Sequence, residues 1–386
     1  MQSRVTLLDI LGYIPRQLRN KKLSIQSSED KLIIKITCRG YSNILTIFRF
    51  LPMNEENLMA FGFAEAEMGR SPQVCYFGVV NSEVYPLLLF KKLAEKHLSV
   101  SPMNWKSYVV YSRPKRDSTR VECKIKDWWS QKLDVKSENI IVDWQKSRRE
   151  GVLLGSARLY VYSKDLKEIF LEILKSLKTA IKSNPEFVLW YLRGKELGDG
   201  TVVLRKRGSI HNFGMTSSNL DELEADRELY ELVGISLSRP KFRVIRAGNV
   251  ESIITAIQDE HFSGSLVRRL KLLSGFLAAL EVRTAYKYLK ILEVTPLSIN
   301  EVTNKAKVAR QTTHYFLQKA MNLKWARRES TGAKFIYSIT EKGLQIIDLV
   351  EKAKKERVKI DNLYKRKQIE EILYMGRKHD GNSFRV

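Results

Sequence analysis

Cysteine, histidine, proline, acidic residues and long apolar runs are all scarce in this chain of 386 residues. The three cysteines, Cys38, Cys75 and Cys123, lie far apart and form no Cys-x-x-Cys pair. That excludes a thiolate zinc site and a disulfide framework, and it fits a reducing cytoplasm. The five histidines are scattered and form no ligand cluster. The longest nearly continuous apolar run is Tyr85–Phe90, far short of the ~20 residues that a membrane crossing needs. The first twenty residues hold no uninterrupted apolar stretch and no small-residue cleavage site, so no signal peptide is expected. Acidic residues number 43 against 67 basic ones, a net charge of +24. An excess of that size favours a polyanionic partner, nucleic acid or an acidic membrane face. With no crossing segment, a cytoplasmic, nucleoid-associated protein is the expectation. Apolar residues make up 44% of the chain and there are only 9 prolines, so most of the length should fold. Two to three domains are expected from that length.

Two stretches organise what is present. The first is Ala60–Glu67 within NLMAFGFAEAEMGRS, and the second is Leu192–Asp199 within FVLWYLRGKELGDGTVVL. Each sets two small residues four apart, Gly62 with Ala66 and Gly194 with Gly198, and so on one helix face. Small side chains there let two helices approach closely. Each stretch ends in an acid and is followed by a strand-like run, so such packing would bring Glu67 and Asp199 side by side. Paired carboxylates are what a hard divalent cation binds.

The remaining elements follow from periodicity and punctuation. A short helix is predicted over Leu7–Leu18, a strand over 31–40, and a helix over 41–51 from the spacing of Ile44, Leu45, Phe48 and Leu51. Asn54 should cap the first motif helix, and a strand and a helix to about Leu98 follow it. Residues 105–129 read as two strands about a turn at Pro114–Ser118. From Ala157 a strand, a helix, the second motif helix opened by Asn184-Pro185, further strands and two more helices follow. The strand PKFRVIRAG (240–248) lies between those last two helices. The order strand, helix, motif helix, strand, helix, strand thus occurs twice. Beyond Ser263–Ser265 the chain turns helical. Ser298 and Glu301 form a capping box for one helix, 309–323 forms the next, and two extended segments flank a Ser-Thr-Gly turn before a last helix.

The paired stretches resemble the LAGLIDADG family of homing-endonuclease folds, with Gly62, Ala66 and Glu67 matching in one copy and Gly194, Gly198, Asp199 and Gly200 in the other. Lys195, Glu196 and Leu197 depart from that pattern, and so does Met68. The later segment is similar to a winged helix-turn-helix. The resemblance implies an α+β chain: a pseudo-twofold, two-motif LAGLIDADG-like saddle of mixed α/β repeats, then a mostly helical winged helix-turn-helix domain. Its halves would span 1–150 and 151–263, the winged helix 264–350, and a charged C-terminal helix or tail 351–386.

What this implies for function is sequence-specific binding of double-stranded DNA, by a transcription regulator or replication-origin binder. In the winged helix the reader would be 309–323, with Arg310, Gln311, Thr312 and His314 toward base edges. Arg327, Arg328 and Lys334 would flank the wing. In the saddle, alternation along strands would gather Arg205, Arg207, Lys241 and Arg243, with Arg246 further along, into a basic concave sheet. Arg113, Lys115, Arg116 and Arg120 stand in the matching part of the first half. Members of the family that cut DNA hold Mg²⁺ on the last acid of each motif, here Glu67 and Asp199, which would then be catalytic and metal-binding. The departures at Lys195, Glu196 and Met68 favour a binder that does not cleave and needs no cofactor. A Mg²⁺-dependent homing endonuclease cutting a long asymmetric site is the alternative. The charged segment 351–376 reads either as a helix for a protein partner or dimerisation, or as a solvated extension.

Overall fold

The computed structural model describes residues 6–18, 20–69, 71, 73–111, 118–145, 154–332 and 334–374. The chain is α+β, 54% helix and 25% strand, with twelve helices and several small sheets among the described residues. Those residues divide into two compact units. One runs to Gly200 and adds Met215–Gly234 and residues from Lys365, while the other holds Thr201–Gly214 and Ile235–Tyr364.

The first unit opens with β-structure where the periodicity predicts helices. Leu7–Asp9 is a strand paired antiparallel with Phe50–Pro52, and Asp9 caps the short 3₁₀ turn Ile10–Tyr13. Gln17–Leu18, Lys21–Ser27, Lys31–Cys38 and Tyr41–Phe48 then form a four-stranded antiparallel sheet in that order. The predicted helix over 41–51 is therefore a strand. Gly40, at φ +68°, turns the chain back so that Tyr41 pairs with Cys38 and Phe48 with Lys31. A full ladder to an existing strand outweighs the helical spacing of a segment that holds the β-branched Ile44, Thr46 and Ile47.

Helix α1 (Glu55–Glu67) follows, with the Asn54 side chain accepting the Asn57 N–H at 2.9 Å. Every residue from Asn57 to Glu65 is buried. After α2 (Val84–His97) comes α3 (Ser118–Leu133), where a strand was predicted. Ile125, Trp129 and Leu133 recur at helical spacing and are buried, and the Trp129 indole donates to the Leu154 carbonyl at 2.8 Å. That four-residue period is satisfied only by a helix. Residues 112–117, with Arg113, Lys115 and Arg116 and most of the predicted turn, lie outside the described residues, and Arg120 is exposed on α3. A second sheet holds Phe77–Asn81, Ser156–Val161, Lys106–Tyr111 and Ile140–Trp144 in that order, the last pair parallel. Ser156–Val161, expected to open a second repeat, thus pairs with strands of the first. Helices α4 (Lys164–Ala180), α5 (Pro185–Asp199) and α6 (Leu220–Leu232) take their N-caps from Ser163, Asn184 and Asn219.

A three-stranded sheet, ordered Gly200–Leu204, Ile210–Thr216, Val244–Ala247 and mostly in the second unit, is followed there by α7 (Val250–Gln258) and α8 (Leu266–Ala278). Gly275 of α8 meets the sheet so closely that a Cβ there would sit 2.5 Å from Ile210 Cγ1. The predicted near-continuous helix after Ser265 breaks at the extended Ala279 into α8 and α9 (Leu280–Val294). Then come α10 (Ile299–Ala306), α11 (Arg310–Asn322), the antiparallel pair Ala326–Thr331 and Lys334–Ile339, and α12 (Glu341–Tyr374). Leu297–Ser298 adds a short third strand on Lys334–Ile339. The capping box forms as the sequence predicts, with the Ser298 N–H donating to Glu301 at 2.7 Å. Fully buried Arg269 donates to the carbonyls of Ala256, Ile257 and His261 and pairs with Glu356, tying the end of α7 to α12.

Candidate functional site

Helices α1 and α5 pack backbone to backbone. A Cβ on Gly194 would lie 1.9 Å from the Met59 carbonyl oxygen, and one on Gly62 would lie 2.0 Å from that of Tyr191. One on Gly198 would lie 2.6 Å from Ala66 Cβ and 2.8 Å from Glu67 Cγ. The small residues singled out in the sequence are therefore the contact, and they bring the ends of both helices together.

Asp199 registers the crowding. Burial, together with the charges of Glu222, Glu67 and Asp226, pushes its carboxyl up to about 7, against the pull of Lys195. Two adjoining carboxyls suit a hard divalent cation in donor type. Among the described residues no group of three or more His, Cys, Asp or Glu is arranged to hold a metal ion, so Glu67 and Asp199 would have to be completed by water or by substrate oxygens. Met68 is buried as the C-cap residue, its N–H bonded to the Ala64 carbonyl at 2.9 Å.

The raised carboxyl has a measurable consequence. A carboxyl that ionises near 3.8 in the unfolded chain and near 7 in the folded one costs stability as pH rises between those values, and the cost is constant above them. Asp199→Asn in metal-free buffer should therefore raise unfolding stability at pH 8 by on the order of 2–4 kcal/mol and leave it unchanged below pH 4. Urea unfolding at both pH values measures this, and an equal effect at both would count against the assignment.

Behind the acid pair lies a charge network that the sequence reading missed. Lys195 is completely buried, with its ammonium 2.7 Å from Glu222, 2.7 Å from Asp226 and 2.8 Å from Glu65. Lys178 joins from α4 at 2.9 Å from Asp226 and 3.3 Å from Glu65. The Tyr191 hydroxyl donates to Glu65 at 2.6 Å. Burial alone would lower the Lys195 pKa, but Asp226, Glu65 and Glu222 outweigh it and raise it. Burial likewise opposes ionisation of Glu65, and Lys195 and Lys178 reverse that, holding its carboxyl below the usual range. Glu196 accepts from the Tyr230 hydroxyl at 2.7 Å. Lys195 and Glu196, departures from the apolar pattern, thus sit in the core with partners and leave the helix packing intact. The available signal was Glu222 and Asp226, four apart on one face of a capped helix.

In the second unit, Arg310, Gln311, Thr312 and His314 are all exposed on α11, while Thr313, Leu317 and Ala320 form its buried side. Tyr315, which the sequence reading left out, is also exposed on this helix, with the Lys319 ammonium 4.9 Å from its ring centre. Arg327, Arg328 and Lys334 are exposed on the adjoining hairpin. Arg327 is partly engaged by Glu329 at 3.1 Å, and Arg328 stacks over Phe335 at 4.4 Å.

The basic concave sheet is not formed as predicted. Arg205 and Arg207 belong to a tight turn, in which the Arg205 N–H reaches the Ser209 carbonyl at 2.8 Å. Lys241 and Arg243 belong to another turn, closed by mutual backbone bonds between Lys241 and Val244 at 3.0 and 3.1 Å. Gly214 abuts Ile245 and Gly248 abuts His211, so these two strands run antiparallel and the two turns lie at opposite ends of the sheet. Of the five residues only Arg246 is on a strand, exposed between buried Ile245 and Ala247. Strand alternation does not apply to residues in turns, and that is why the predicted shared face fails. On α12, Val358, Leu363 and Ile369 are exposed, and no helix among the described residues is long and apolar enough to cross a membrane. No family model matches the chain, and no curated protein or solved structure matches it.

Proposed function

We propose that the protein binds double-stranded DNA sequence-specifically, as a transcription regulator or replication-origin binder in the cytoplasm, and holds its site without cutting it. The observation that carries this reading is the face of α11. Four polar side chains, Arg310, Gln311, Thr312 and His314, are exposed together within the first five residues of a helix whose other side is buried. A recognition helix presents its N-terminal side chains to base edges in the major groove. Arg310 suits guanine and Gln311 suits adenine by paired hydrogen bonds. We read α9, α10, α11 and the hairpin with Arg327, Arg328 and Lys334 as a winged helix-turn-helix, and the α1–α5 pair as the centre of a LAGLIDADG-derived saddle. The net charge of +24 supplies the attraction to phosphate, so affinity should fall steeply with salt.

Binding-site selection followed by titration of the selected and a scrambled duplex tests the reader. Arg310→Ala should cost about 1–3 kcal/mol on the selected duplex and far less on the scrambled one. Equal weakening of both would sink the assignment of α11.

The acid pair favours a second reading, a Mg²⁺-dependent homing endonuclease, because Glu67 and Asp199 end the same helix pair and Asp199 is raised to about 7. Against it, the neighbouring Lys195 is enclosed by three carboxylates and withdrawn from any substrate. Supercoiled plasmid carrying the selected site, incubated with Mg²⁺, separates the two. Nicking that Glu67→Gln abolishes while binding persists would establish cleavage.

A further inference from the structure

The turn at Lys241–Val244 carries a side chain that the fold does not use. Phe242 is 84% exposed, more than any other large apolar residue of the described chain. It and Arg243 occupy both central positions of a two-residue hairpin loop, at φ +52° and +63°. Both are in the left-handed region, where Asn-Gly is the usual choice because side chains with a Cβ are disfavoured. The arms below are well pinned. The Ser238 N–H meets the Arg246 carbonyl at 2.8 Å, and Leu237, Ile245 and Ala247 are buried at the base. A firmly held hairpin thus lifts an aromatic ring into solvent on a backbone that phenylalanine disfavours. Arg239, Lys241, Arg243 and Arg246 are all exposed around it, and the Lys241 ammonium lies 5.4 Å from the ring centre.

We propose that Phe242 is a wedge for duplex DNA. The basic residues at its flanks hold the phosphates on either side of the minor groove while the ring enters between two base pairs, unstacking and unwinding that step. Apolar wedges on minor-groove proteins act in this way, and rigidity of the arm that carries them keeps the ring aimed. The inference rests on the DNA-binding reading above and adds to it a deformation of the site at an element separate from α11. Its place at the tip of a short sheet suits a groove that admits a narrow hairpin edge.

The test uses the full chain on relaxed closed-circular plasmid with topoisomerase I, followed by removal of protein and resolution of topoisomers. Bound wild-type protein should shift the linking number in proportion to occupancy. Phe242→Ala should lose most of that shift at matched occupancy, its plasmid affinity changing by less than about tenfold because phosphate contacts dominate binding. Phe242→Trp should retain it. The double variant F242N/R243G places the favoured turn pair at the tip. It should melt no lower than wild type and still lose the shift, which separates the wedge from a folding defect. Identical topoisomers for wild type and Phe242→Ala at equal occupancy would overturn the wedge and leave DNA binding standing. Failure of wild type to retain plasmid even at low salt would remove the DNA-binding reading and the wedge with it. If Phe242→Ala instead weakened only pelleting with phosphatidylserine vesicles, the tip would serve a bilayer and the proposal would fall.

Discussion

Lys195→Met should destabilise the protein by about 3–5 kcal/mol at neutral pH, enough to unfold many domains. Methionine nearly fills the space of the lysine stem, so the loss measures charge rather than volume. The ammonium answers three carboxylates, Glu65, Glu222 and Asp226, the last fully buried and all drawn from helices other than α5. Of the two lysines Lys178 is then left, and its contacts are with Glu65 and Asp226. The pH dependence contributed by Glu65 should also change sign, alongside the Asp199 cost. In the wild type the depressed carboxyl of Glu65 contributes stability that is present above its ordinary value of 4.5 and is lost as pH falls through its lower folded value. In the variant the same carboxyls are buried without their cation, so their pKa values rise and stability falls as pH increases. Denaturant unfolding at about pH 3, 4.5 and 7.5 reads both effects, the first pair for the wild type and the second for the variant. A variant that lost less than about 1 kcal/mol at pH 7.5 would show the network to be dispensable.

The second large effect concerns the helix contact. Gly194→Ala should cost about 3 kcal/mol or more, at the upper end for overpacked cores. The added methyl would meet the Met59 carbonyl oxygen at 1.9 Å and Met59 Cα at 2.5 Å, all backbone, so no rotamer change relieves it. The helices must separate, and every buried contact along them loosens. Gly62→Ala should behave alike, since its obstacle is the Tyr191 carbonyl at 2.0 Å. Gly198→Ala should cost less, because Ala66 Cβ and the Glu67 side chain are its neighbours and the latter can move. At Gly12, where nothing lies within 4 Å, alanine should be close to neutral. Thermal unfolding of the four variants measures this order. Gly12 and Gly194 giving equal losses would show that helix separation is not what limits the contact.

Those glycines were visible in the sequence because helix periodicity is local. So were the caps at Asn54, Asn184 and Ser298, each fixed by residues within a few positions. The N-terminal strands were not, because Tyr41–Phe48 becomes a strand only by pairing with Lys31–Cys38, and its apolar spacing fits either period. The α3 segment shows the reverse case, in which the stretch to 129 read as a strand while the buried spacing from Ile125 to Leu133 follows a helix. Lys195 looked like a flaw because its partners stand at 65, 222 and 226, contacts that no local pattern can report. The tip at Phe242 was hidden for another reason. PKFRVIRAG alternates like a strand, and a turn made without glycine, asparagine or proline leaves no turn signature.

The pairing of α1 with α5 also sets a schedule for synthesis. Roughly 130 residues separate the two helices in the chain, so at a translation rate of about 5–20 residues per second α1 emerges some 6–26 s before its partner. During that interval the run Asn57–Glu65, buried throughout in the finished protein, has no α5 to cover it. The nascent chain therefore carries the face that α5 will cover for many times longer than collapse takes, and transiently exposed apolar surface of this kind is prone to aggregation.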